Sequence, residues 1–65
     1  MDVKMVIEYK GFRFEKYEKS ATVNIYKENE EHAFNCFTHY EIGTDTEKFK
    51  ESCNEWYEEI LRVYY

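Results

Sequence analysis

Residues 3–14 read Val3-Lys4-Met5-Val6-Ile7-Glu8-Tyr9-Lys10-Gly11-Phe12-Arg13-Phe14, and this stretch decides the fold. Val3, Met5, Ile7 and Tyr9 alternate with Lys4, Val6 and Glu8. That period of two marks a half-buried strand. Across Lys10-Gly11 the apolar parity switches from odd to even. A two-residue hairpin turn explains the switch, with Gly11 supplying the positive φ such turns need. Tyr9 then opposes Phe12, Ile7 opposes Phe14, and Glu8 faces Arg13 on the other surface as a complementary pair.

The same test extends downstream. Ala21, Val23 and Ile25 alternate with Thr22, Asn24 and Tyr26. A tight turn at Glu18-Lys19 predicts Phe14 opposite Val23 and Phe12 opposite Ile25, keeping one apolar face. A turn near Asn29-Glu30 predicts Ile25 against Phe34 and Val23 against Cys36. The expected core face is Val3, Met5, Ile7, Tyr9, Phe12, Phe14, Val23, Ile25, Phe34 and Cys36. The other face carries Val6, Glu8, Arg13, Glu15, Thr22, Asn24, Tyr26, Ala33, Asn35 and Phe37.

Beyond Gly43 the period changes. Thr44 followed by Glu47 reads as a capping box, and Asp45 and Glu47 suit the positive end of a helix dipole. Phe49, Cys53, Trp56, Ile60 and Val63 or Tyr64 then recur at helical spacing as one apolar stripe. The expectation is an α+β fold in one domain spanning 1–65. An antiparallel four-stranded β-meander (three-stranded in its minimal form) occupies about 3–40. One C-terminal amphipathic helix, about 45–64, packs on one of its faces.

A chain of 65 residues has a small core, and two cysteines are too few for a disulfide scaffold. Aromatic residues make up 20% of it, seven of them tyrosines, so ring packing is the expected source of stability. There are more rings than such a core can hide. Neither a signal peptide nor a membrane-length apolar run is present, which points to a cytoplasmic protein with reduced thiols.

The net charge of −5 is unevenly laid out. Residues 1–27 carry six bases (Lys4, Lys10, Arg13, Lys16, Lys19, Lys27) and four acids (Asp2, Glu8, Glu15, Glu18). Residues 28–65 carry three bases (Lys48, Lys50, Arg62) and ten acids. Of those ten, Glu47, Glu51, Glu55 and Glu58 or Glu59 form a row at i, i+4 spacing on the outer helix face, and Glu28, Glu30 and Glu31 cluster at a turn. Most charge rows are solvated surface. The sharper reading is a negative face that docks on a basic groove, with tyrosines such as Tyr57 as anchors.

Other chemistry fares worse. His32, Cys36, His39 and Cys53 match no standard zinc spacing, and both cysteines fit apolar slots, so no metal or cofactor is expected. One small core leaves little room for a catalytic pocket. Nucleic-acid binding by the basic sheet side is weakened by interleaved acids and the negative total. Self-association through the open sheet face, around Tyr26 and Phe37, would give a homodimer.

The order of strands then helix, with IEYKGFRF opening and TDTEKFKESCNEWYEEI closing, resembles small acidic proteins of phages and mobile elements, of the anti-CRISPR or anti-defence inhibitor type. The resemblance lies in architecture and in a Lys, Glu, Asn and Tyr-rich composition, and it carries no functional residues over. It implies a non-enzymatic inhibitor in a bacterial host's cytoplasm. Such an inhibitor would bind a protein with a basic, nucleic-acid-binding surface, in the manner of a DNA mimic.

Overall fold

The computed structural model describes residues 3–64. Four strands, β1 (Lys4–Tyr9), β2 (Phe12–Tyr17), β3 (Thr22–Lys27) and β4 (Asn35–Thr38), form one antiparallel sheet in the order β1-β2-β3-β4. A helix follows: α1 (Thr46–Trp56), a π-helical segment (Tyr57–Leu61) and a last turn, α2 (Arg62–Tyr64). It covers one face of the sheet. No helix among the described residues is long and apolar enough to cross a membrane.

The first hairpin has the register its alternation dictates, with Tyr9↔Phe12, Glu8↔Arg13 and Ile7↔Phe14. Its turn is Lys10-Gly11 at φ 53° and 84°, two positive values in succession, the geometry that matches the right-handed twist of a two-residue hairpin.

The second pairing sits two residues away from the expected one, with Phe14↔Ile25 and Phe12↔Lys27. Glu18-Lys19 offers no glycine for a two-residue turn. The chain instead closes a longer connection, with Ser20 N donating to Tyr17 O at 2.9 Å. A shift of two preserves parity, so Phe14, Val23 and Ile25 still share the buried face.

The third pairing corrects the sequence reading more sharply. Val23 pairs with Phe37 and Asn24 with Cys36, a slip of one residue that exchanges the faces of β4. Phe37 therefore lies on the helix side, stacked on Trp56 at 4.9 Å between centroids. Cys36 is exposed. Asn35 takes the core-side parity opposite Ile25, and Ala33 precedes the strand. The cause is local. Phe34 N also donates to Ile25 O, at 3.0 Å, so Phe34 and Asn35 both stand across from Ile25 in the manner of a bulge. The extra residue lets Phe34 pack on Phe12 (5.7 Å) and Phe37 on Trp56, although their parities differ.

The helix is capped by Asp45, not Thr44. The Asp45 carboxylate accepts from the N–H groups of Glu47 (3.0 Å) and Lys48 (3.2 Å), one residue after the expected box. Gly43, at φ 53°, makes the break before it. Phe49 and Cys53 are buried as their spacing requires, together with Ser52. Burial pushes the Cys53 thiol up to about 12. Further along, the π segment fits an extra residue into its turn. Leu61 is buried, Ile60 is only half-buried, and Val63 and Tyr64 swing out to 63% and 73% exposure. The stripe therefore ends at Leu61, not at Val63 or Tyr64. Ile42, in the loop before the helix, completes a core of Phe14, Val23, Ile25, Phe49, Cys53 and Leu61.

Candidate functional site: the acidic helix face

Helix geometry separates two faces. The buried row Phe49, Cys53 and Leu61 anchors the helix to the sheet, and Glu47, Glu51, Glu55, Glu58 and Glu59 are all exposed. The π segment matters to both rows. In an unbroken α-helix Glu59 would sit about 40° beyond Glu55, and Leu61 about 80° beyond Cys53 and so away from the core. The wider turn rotates both back. The acids thus form a continuous outward row, about 6 Å of helix rise separating each i, i+4 step.

Of this row only Glu58 has an ion-pair partner among the described residues, Arg62 at 3.0 Å. Glu47, Glu51, Glu55 and Glu59 have none there. Helical backbone, exposure and, at four of the five acids, charge without an ion pair among the described residues coincide on this face.

Tyr57 is placed differently from a free anchor. It is half-buried, its ring edge-on to Tyr9 at 5.4 Å and tilted against Phe12 at 6.2 Å. The Tyr9 hydroxyl donates to Asn54 Oδ1, tying the first hairpin to the helix at the same point. Freely exposed rings are found elsewhere, at Tyr40 (87%), Tyr64 and Tyr17.

Glu28, Glu30 and Glu31 are exposed on the loop between β3 and β4. Glu28 N donates to Gly11 O at 3.1 Å, so this loop adjoins the tip of the first hairpin. Tyr9 and Phe12, which flank that tip, also carry Tyr57. The loop acids and the π-segment acids therefore lie at the same end of the sheet. Asn29, at φ 67°, turns the loop, and Arg13 Nη2 donates to Glu30 O at 3.1 Å to hold it. An open hollow of about 350 Å³ lies here between Glu8, Arg13, Glu28 and the turn residues. Its lining is polar, unlike the apolar clefts that bury small ligands.

The basic residues of the sheet are largely committed inside the molecule. Glu15 takes a hydrogen-bonded ion pair from Arg13 Nε and another from Lys4 at 3.2 Å. Burial pushes the Glu15 carboxyl up, but the hydrogen bonds and charges of Arg13 and Lys4 outweigh it and hold the group below its ordinary value. The Arg13 guanidinium also lies 4.4 Å from the Tyr26 ring centroid.

Lys16 is 2% exposed. Its ammonium donates to Gly43 O (2.8 Å), Tyr17 O (2.9 Å) and Glu18 O (3.3 Å), pinning the loop before the helix to the β2–β3 turn. Charge counting placed Lys16 among surface bases. Its parity with Phe12 and Phe14 was the signal that it points inward.

The remaining candidates are dispersed. Cys36 is exposed on the open face and Cys53 is buried under the helix, so the two thiols lie on opposite sides of the sheet. His32 is exposed, and His39 Nδ1 accepts from Glu41 N at 3.3 Å. No group of three or more His, Cys, Asp or Glu among the described residues could hold a metal ion. With Phe37 turned to the helix, the open face keeps Tyr26 but loses the second ring expected there. No family model, curated protein or solved structure matches the chain.

Proposed function

We propose that the protein is a non-enzymatic binding module that docks its helix face on a basic, nucleic-acid-binding surface of another protein and so inhibits or modulates it. The observation that carries this reading is that Glu47, Glu51, Glu55 and Glu59 lie on an exposed helix face with no ion-pair partner among the described residues. Like charges at i, i+4 cost a helix roughly a few tenths of a kcal/mol per pair. Glu47 is stabilised by its place in the first turn, but Glu51 and Glu55 have neither that position nor an ion pair among the described residues. A complementary basic surface would offset that repulsion and speed encounter.

The row carries one carboxylate per ~6 Å of helix, against one phosphate per ~3.4 Å of a DNA strand. It is thus a sparse imitation of a nucleic acid, with Glu28, Glu30 and Glu31 as a second acidic cluster. Inhibition of a bacterial defence nuclease of the CRISPR type is the use that the resemblance in architecture and composition suggests. The same residues then serve as the contact: Glu51 and Glu55 at its centre, Glu47, Glu58 and Glu59 at its flanks, and Tyr57 as the ring nearest the π-segment acids.

The test is capture from a bacterial lysate on immobilised protein, followed by competition with duplex DNA. A genuine partner is retained by the native protein, released by DNA and by salt, and lost with Glu51→Lys/Glu55→Lys. Retention that survives both charge reversal and DNA competition, with the variant still folded, would discard the acidic face.

A further inference from the structure

Strand β1 is a free edge of the sheet, six residues long, without proline, glycine or a bulge. Natural sheets usually protect such an edge, because its unpaired backbone groups invite another strand. The opposite edge, β4, is only four residues long.

The direction of those groups follows from the hairpin. Tyr9 and Phe12 flank a two-residue turn, and Val3 O accepts from Glu18 N at 2.9 Å. Backbone groups alternate sides along a strand, so Val3, Met5, Ile7 and Tyr9 bond to β2. Lys4, Val6 and Glu8 direct theirs outward.

We propose that β1 pairs antiparallel with β1 of a second copy, about a two-fold axis at Val6. The sequence around Val6 is self-complementary in this register. Lys4, whose half-exposed side chain already meets Glu15 at 3.2 Å, falls opposite Glu8 of the second copy, Val6 opposite its equivalent, and Met5 opposite Ile7. Every outward N–H and C=O of Lys4, Val6 and Glu8 then finds a partner, and the two sheets become one.

Three observations within one chain favour this occupant. Glu8 stands directly across from Arg13 yet makes no ion pair among the described residues, because Arg13 turns to Glu15 and Tyr26. Val6, the centre of the register, is a valine 46% exposed between Lys4 and Glu8 on the open face. Met5 and Ile7 are only half-buried on the helix side, where Val23 and Ile25 are fully buried, so the apolar layer is left incomplete towards this edge. A β1–β1 contact is smaller than the roughly 1,200 Å² of a standard stable interface, so the dimer is weak and reversible.

Sedimentation equilibrium across micromolar to millimolar protein tests the pairing. The native chain gives a reversible monomer–dimer equilibrium. Glu8→Lys brings lysines face to face across the axis and raises the dimer Kd by about tenfold or more. Lys4→Glu does the same with carboxylates, and also loses the Lys4–Glu15 pair within one chain, so its fold is checked by circular dichroism. An equimolar mixture of the two variants dimerises again, because each copy now complements the other. Val6→Pro removes an outward donor without breaking a bond to β2, and gives a monomer with an unchanged circular dichroism spectrum. Glu51→Lys/Glu55→Lys leaves the dimer intact, which keeps this result separate from that of the acidic face. A native chain monomeric throughout, or a dimer indifferent to the charge exchange, would overturn the proposal.

Discussion

On the open face of the sheet, Glu15 holds both Lys4 and Arg13, Arg13 covers Tyr26, and Lys16 is withdrawn beneath the opposite face onto three carbonyls. On the outer face of the helix, Glu47, Glu51, Glu55 and Glu59 meet no cation among the described residues. The charges of Lys4, Arg13, Glu15 and Lys16 are spent on the fold, and those of Glu51 and Glu55 are not. A basic residue counted in the sequence is therefore a poor guide to a basic surface here. Removing one of these sheet charges should cost stability, whereas removing Glu51 or Glu55 should cost none.

The largest expected contrast concerns the two faces themselves. In native protein a thiol reagent should modify Cys36 rapidly, and Cys53 only as the chain unfolds, a rate difference of orders of magnitude. Cys53 is buried with its thiol pushed up to about 12, so both access and thiolate are withheld. Peptide mapping after brief labelling reads this directly. Equal protection of both would return β4 to the other register and Phe37 to the open face.

Next in size is Lys16→Met. The aliphatic stem is replaced closely, but the carbonyls of Gly43, Tyr17 and Glu18 lose their donor, at a cost of about 2 kcal/mol in all. Urea unfolding should show a lower midpoint with an unchanged slope. A neutral outcome would place Lys16 with the uncommitted charges.

Glu15→Gln is expected to cost about 0.5–1 kcal/mol at neutral pH, in line with partly exposed ion pairs. Its pH dependence has a definite sign. The folded carboxyl lies below its ordinary value, so its contribution is complete above the unfolded value and is lost as pH falls through the folded one. Native and variant stabilities should converge in acid. A gap that persists there would mean that the side chain acts by packing.

The smallest effect has the opposite sign. Glu51→Gln/Glu55→Gln removes like-charge repulsion and should leave stability unchanged or raise it by a few tenths of a kcal/mol. A clear loss would show that these acids do structural service, and the contrast between the two faces would fail.

How far the sequence led depended on what fixed each turn. Lys10-Gly11 admits one solution, and every partner in the first hairpin followed from it. Between β2 and β3 no glycine selected a turn, so the parity was legible and the register was not. Phe34 and Phe37 compete for the core from opposite parities, and only a bulge satisfies both. Alternation cannot announce that bulge. The inner helix stripe was readable to Trp56 and then drifted, because no residue type in Tyr57–Leu61 signals a π turn. The acidic row was visible as spacing. That its members lack partners, and that Tyr57 is half-buried against Tyr9 and Phe12, required the packed structure.

The claim that the helix acids are reserved for a partner is tested most directly by the salt dependence of the captured complex. The Kd of the native protein for that partner should rise steeply with salt. Glu51→Gln/Glu55→Gln should bind more weakly with a shallower slope, while its thermal midpoint stays at or above the native value. An unchanged slope and affinity in a stably folded variant would contradict the account.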